Sequence, residues 1–225
     1  MPAAKRRRVI YALFAGLLVL WAIGLVALTA VDDRDSESVA NGAAVTGERQ
    51  GPFRGGSLPR GIGGAPAPQF VLDDARGGRL DTASLTGRPY LVTFLYTDCP
   101  DVCPLIAQEI KLAFEQLGPR AREVTALAVT ADPKADTPHA VRSWLKQRRM
   151  PDNFRYLLGS RSELEPVWKA HFAAPQEHDK EESAHSASIW LVDRKGRWRT
   201  KFSGGLPVAP ADIAHDLRLL LDEPA

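Results

Sequence analysis

The chain has 225 residues, 44% hydrophobic and 25% charged, which excludes collagen-like and disordered compositions and leaves room for one domain plus extensions. Two cysteines are too few for a disulfide framework or a paired four-cysteine zinc site, so the pair matters only as a site of its own. The net charge of +2 comes from Lys5 and Arg6 to Arg8; the other 25 of 29 basic residues face 27 acidic ones, net −2, which excludes a nucleic-acid partner.

Residues 1–8 read as a basic cytoplasmic stub. Val9 to Val31 are 23 residues without a charge, about 34 Å as a helix and enough to cross a bilayer. Asp32, Asp33 and Asp35 follow, so the positive-inside rule keeps the amino terminus cytoplasmic and exports the rest, to the bacterial periplasm or its equivalent. A cleaved signal peptide is the alternative, given small Ala27, Thr29 and Ala30, but the apolar run exceeds the roughly 7–15 residues of a signal core. Residues 32–66 read as a linker, because eight of the 18 glycines and four of the 17 prolines fall between Ala40 and Pro68 with few large apolar residues. Residues 67–225 form the globular domain.

Within it, Gln69–Leu72 is a short strand candidate, and Pro89–Tyr96 is an apolar, β-branched run suited to a strand buried on both faces. Ile106, Ile110, Ala113, Phe114 and Leu117 recur at helical spacing and stop at Gly118-Pro119. Val124–Thr130 is the next strand, and Asp136-Thr-Pro138 caps a helix to about Gln147. Phe154–Leu158 is a strand; Ser160 and Glu163 form a capping box for a helix to about Phe172. After a polar loop, Ser186–Val192 and Arg197–Phe202 form a hairpin around Asp193–Gly196, and Ala209–Leu221 is the last helix. This order predicts an α/β fold: a thioredoxin-like three-layer sandwich with a mixed sheet, preceded by one transmembrane helix.

Cys99-Pro-Asp-Val-Cys103-Pro104 falls between the central strand and the first long helix, at the carboxyl edge of the sheet where open α/β folds form ligand sites. Spacing of four residues turns both sulfurs to one side of a helical turn, and the helix amino terminus favours the thiolate. Two thiolates select a soft ion, Cu(I) with Zn(II) as competitor, and an added imidazole also accepts Cu(II). An inert pair or static disulfide is the structural alternative, but closing so short a loop gives little entropic stabilisation. Of five histidines, His139, His171 and His215 lie on helices as surface or boundary residues, and His178 sits in a charged loop. His185 stands at the start of an apolar strand after a loop long enough to fold over the cysteines. An isolated histidine there is better explained structurally; the cysteines reverse that preference.

These residues resemble the Sco (SenC) family of copper-binding proteins over about Gln69 to Phe202. Four blocks carry the resemblance: Leu85–Tyr90 with its strand, Tyr96–Pro104, Val129–Pro138, and His185-Ser before a strand ending Leu191-Val-Asp193. It implies a thioredoxin-like domain that binds one copper ion through Cys99, Cys103 and His185 and serves assembly of a respiratory oxidase copper centre. The implied partners are a copper-receiving oxidase subunit, a copper donor and a thiol reductant. Asp98, Asp101 and Asp132 are candidates to stand behind the ligands, with a turn-forming role for Asp132 as the alternative. Ala184 departs from the Asp that many members carry before the histidine.

Two functional classes compete. A metal-delivery protein without catalytic turnover uses Cys99 and Cys103 as ligands; a thiol–disulfide oxidoreductase uses them to reduce client cysteines, their disulfide being the metal-free oxidised state. The sequence favours metal, since such enzymes usually carry Cys-x-x-Cys and a facing proline, and none lies between Pro175 and Pro207. A peroxidase needs one activated and one resolving thiol, and nothing else here marks a peroxide pocket.

Overall fold

The computed structural model of the protein describes residues 51–176, 188–203 and 208–224. They belong to one compact unit, residues 47–225. The stub at 1–8 and the apolar segment at 9–31 lie outside the described residues, among which no helix is long and apolar enough to cross a membrane.

The chain runs β1 (Val71–Asp74), β2 (Arg79–Asp81), β3 (Tyr90–Leu95), α1 (Val102–Leu117), β4 (Thr125–Thr130), α2 (Pro138–Gln147), β5 (Phe154–Leu158), α3 (Arg161–Ala170), β6 (Ser188–Val192), β7 (Trp198–Ser203) and α4 (Pro210–Asp222). The seven strands form one sheet ordered β2-β1-β5-β4-β3-β6-β7. Strands β3, β4 and β5 pair in parallel; β1 and β6 flank them antiparallel, so the sheet is mixed. All six residues of β3 are buried, as a central parallel strand covered on both faces requires.

Alternation along the strands builds two cores. Leu91, Leu95, Ala126, Ala128 and Tyr156 pack against α1, α2 and α4, whereas Val92, Phe94, Leu127, Val129 and Leu157 pack against α3 and the chain before β1. Helix α1 contributes the buried stripe Ile106, Ile110, Ala113, Phe114 and Leu117; burying each larger side chain stabilises by about 1.5–3 kcal/mol. At α3 the capping box is present, with Glu163 N donating to Ser160 Oγ and Ser160 N to Glu163 Oε2. At α2 the cap is Thr137, whose Oγ1 accepts from Ala140 N, and not Asp136.

The stretch expected as a linker behaves differently where it is described. Phe53 and Leu58 are buried, Gly56 N donates to Lys201 O at 2.8 Å, and Gly64 N donates to Trp198 O at 2.8 Å. Arg54 N and Gly55 N donate to the two carboxylate oxygens of buried Asp216, each at 2.8 Å. Residues 51–66 therefore cover the open edge of β7, which would otherwise present unpaired backbone groups. A Cβ on Gly55 would meet Thr200 Oγ1 at 2.3 Å, so this glycine serves close approach as well as flexibility.

His171, expected near the surface, is 1% exposed and surrounded by Phe70, Phe94, Trp190 and Trp198, with Nδ1 2.9 Å from Val167 O. Burial lowers its pKa from 6.5 to about 4, against a smaller opposing effect of the Val167 hydrogen bond. As pH falls below 6.5 the unfolded chain takes up a proton that the folded one refuses until about pH 4, so stability is lost across that window. Denaturant titrations at several pH values should show the wild type losing about 3 kcal/mol relative to His171→Phe across it.

Candidate metal centre

Because β3 runs parallel to β4, the loop after β3 emerges at the carboxyl edge of the sheet. Tyr96 to Asp101 form that loop, and α1 starts at Val102 with Asp101 as its cap, Oδ1 accepting from Val102 N at 2.5 Å. Cys99 therefore precedes the helix and Cys103 lies in its first turn. The two meet: Cys103 N donates to Cys99 Sγ at 3.3 Å. Both are buried and neither is in a disulfide.

Electrostatics at the pair differ from the sequence-based expectation. Burial, reinforced by the adjoining Cys99 thiol, pushes the Cys103 pKa well above the usual thiol range, and a backbone hydrogen bond from Tyr96 only partly opposes it. Desolvation outweighs the helix terminus because a first-turn dipole contributes about 0.3–1 kcal/mol, whereas a buried charge costs several. Tyr96 is likewise raised, first by burial and then by its hydrogen bond to Cys99.

Of the three acidic candidates, Asp101 is brought to the pair: Cys99 Sγ lies 3.9 Å from its Oδ1. Asp98 is exposed. Asp132 is buried, and its Oδ1 accepts from Lys134 N at 3.1 Å and Ala135 N at 3.3 Å, shaping the turn before α2. His185 lies outside the described residues, among which no group of three or more His, Cys, Asp or Glu side chains is arranged to hold a metal.

Asp136, which the sequence marks only as part of a helix cap, organises the loop. Its Oδ1 accepts from Thr97 N at 2.8 Å and Thr97 Oγ1 at 2.6 Å; Oδ2 accepts from Thr130 Oγ1 at 2.6 Å and Tyr156 Oη at 2.8 Å. Burial raises its pKa even though all four bonds oppose the shift. A clue was present in the sequence, since Asp136 sits six residues after Thr130, but Thr97 comes from the loop after β3 and Tyr156 from β5, both distant in sequence.

The donor set fits a soft ion: two cysteines protected from solvent, one on a loop fixed by hydrogen bonds and one in the first turn of the helix that follows. Removing the carboxylate leaves four donors without an acceptor, so Asp136→Ala should destabilise by about 3 kcal/mol or more, while Asp136→Asn, which keeps an acceptor for Thr97, should cost less. Thiol labelling should be faster in Asp136→Ala than in Asp136→Asn.

The SCO1/SenC family profile matches residues 63–222. A relative from Stutzerimonas stutzeri, named for copper binding, is 34% identical over 137 residues, 59% of this chain and 66% of its own length, just short of two thirds. ScoI of Bradyrhizobium japonicum, solved with copper bound, superposes with a TM-score of 0.59 at 31% identity, covering 69% of this chain and 99% of that one. BsSco, a member of the Sco family of cytochrome c oxidase assembly proteins in which a disulfide switch was identified, superposes at 0.61 with 23% identity, covering 69% and 92%. The sheet, the paired thiols and the match over most of the domain agree: the chain belongs to the SCO1/SenC family.

Proposed function

We propose that this protein is a membrane-anchored copper carrier that holds one copper ion through Cys99, Cys103 and His185 and passes it to a copper-receiving subunit of a respiratory oxidase during assembly. The observation that carries the reading is that two buried, unbridged cysteines meet at the sheet edge, Cys99 in the loop after β3 and Cys103 in the first turn of α1, with Cys103 N donating to Cys99 Sγ. Membership in a family with a copper-bound member and a role in oxidase assembly supports the cargo and the client. The 23-residue uncharged run with its basic and acidic flanks supports the anchor and an exported domain.

Support for His185 comes from the two ends of the segment that bears it. Gln176 N donates to Ala131 O at 2.8 Å, just beyond β4, and Ala131 N donates to Leu95 O at 2.7 Å. Strand β6 runs antiparallel to β3, so its first residue, Ser188, lies toward the end of β3 that leads into the cysteine loop. His185 is three residues earlier in sequence, a reach of at most about 10 Å.

Two thiolates and one imidazole leave copper with open coordination positions. Client ligands can then enter as the carrier's leave, and the soft sulfurs favour Cu(I). Binding displaces thiol protons, so affinity falls with acidification. The same pair can release two electrons and two protons to form a disulfide, which is the oxidoreductase alternative.

Anaerobic Cu(I) titration of the reduced full chain in detergent, with X-ray absorption of the product, tests the reading. One copper with two sulfur neighbours and one nitrogen is expected. Cys99→Ala, Cys103→Ala and His185→Ala should each lose more than about a hundredfold in affinity, since even residues behind a ligand cost 10–100-fold. Unchanged affinity in His185→Ala removes that ligand; unchanged affinity in Cys103→Ala, or fast metal-free reduction of an oxidised client, replaces the carrier with an oxidoreductase.

A further inference from the structure

At the edge of the sheet opposite the thiols, where α2 ends and β5 begins, a cavity of about 440 Å³ is lined by Arg76, Arg142, Lys146 and Arg149, with Asp152 as its one carboxylate. The chain beyond residue 31 is net negative, so four cations against one anion is a local concentration that composition does not supply. Asp152 is already committed, paired with Arg76 at 3.0 Å. Among the described residues Arg142, Lys146 and Arg149 make no ion pair.

The walls are built rather than incidental. Arg76 Nη2 donates to Met150 O and Pro151 O, and Arg142 Nη1 donates to Ala75 O at 3.0 Å, which binds the loop after β1 to α2. Arg142 and Lys146 stand one helical turn apart, where like charges disfavour the helix. Arg149 continues the row just past the C-cap of α2 with a left-handed φ of 50°, the usual way a helix ends, with Met150 N donating to Leu145 O at 3.0 Å. The C-terminal dipole of α2 favours cations nearby, but it does not explain Arg76, which comes from another element.

We propose that this pocket binds a phosphate-bearing anion, supplied either as free phosphate or as a phospholipid headgroup. Guanidinium forks match phosphate oxygens in bidentate geometry, and a concave site with three unpaired cations offers several charge-assisted hydrogen bonds at once. The inference is independent of the copper reading, because the pocket and the thiols lie at opposite edges.

The test is amide hydrogen exchange of the full chain in zwitterionic phosphatidylcholine nanodiscs, read over residues 138–153 with residues 96–110 as internal reference. One arm adds inorganic phosphate; the other uses discs containing phosphatidylglycerol. Slowing confined to 138–153 in either arm is the expected result, and the responding arm identifies the source. Lys146→Glu should abolish it and Lys169→Glu, at an exposed position of α3, should not. Arg149→Gly suits the left-handed φ, so its thermal midpoint should hold or rise while the apparent affinity falls about tenfold. No slowing in either arm, equal slowing in Lys146→Glu, or uniform slowing of both regions overturns the proposal.

Discussion

Asp136 accepts from both donors of Thr97 through one oxygen and from Thr130 and Tyr156 through the other, so one buried carboxylate joins the loop after β3 to strands β4 and β5. The cost of taking that carboxylate out of water appears as its raised pKa. Four hydrogen bonds offset the cost, and they do so at the residue two positions before Cys99. The placement of the thiols therefore depends on a buried polar network whose four donors all reach the Asp136 carboxylate.

The thiol pair shows which of two opposed effects prevails. A helix amino terminus favours thiolate, and Cys103 occupies the first turn of α1, yet burial carries its pKa upward. Burial thus favours the protonated form of this sulfur and shields it from solvent. Asp101 adds to this arrangement by capping α1 while facing Cys99.

Most of the fold was legible along the chain. The continuous apolar run of β3, the helical stripe of α1 and the Ser160–Glu163 box each express a local rule, and local rules survive in any compact context that buries the same face. Strand β2, three residues long, carries too little periodicity to be read. Residues 51–66 misled for a physical reason: their scarcity of apolar side chains was counted, but the backbone bonds they make to β7 were invisible until that strand's open edge was known. His171 misled similarly, since a polar residue after a helix looks exposed until four aromatic rings converge on it.

By itself the sequence determined the class of the domain, the position of the cysteine pair between a central strand and a helix, and the chemistry two soft sulfurs can perform, because all three follow from periodicity and side-chain type over short spans. Tertiary structure alone decided that Asp136 holds the cysteine loop, that burial outweighs the helix dipole at Cys103, and that four cations converge at the opposite edge. Those outcomes require partners more than twenty residues apart, such as Thr97 with Asp136 or Arg76 with Arg142. Their distances are fixed only when the sheet assembles.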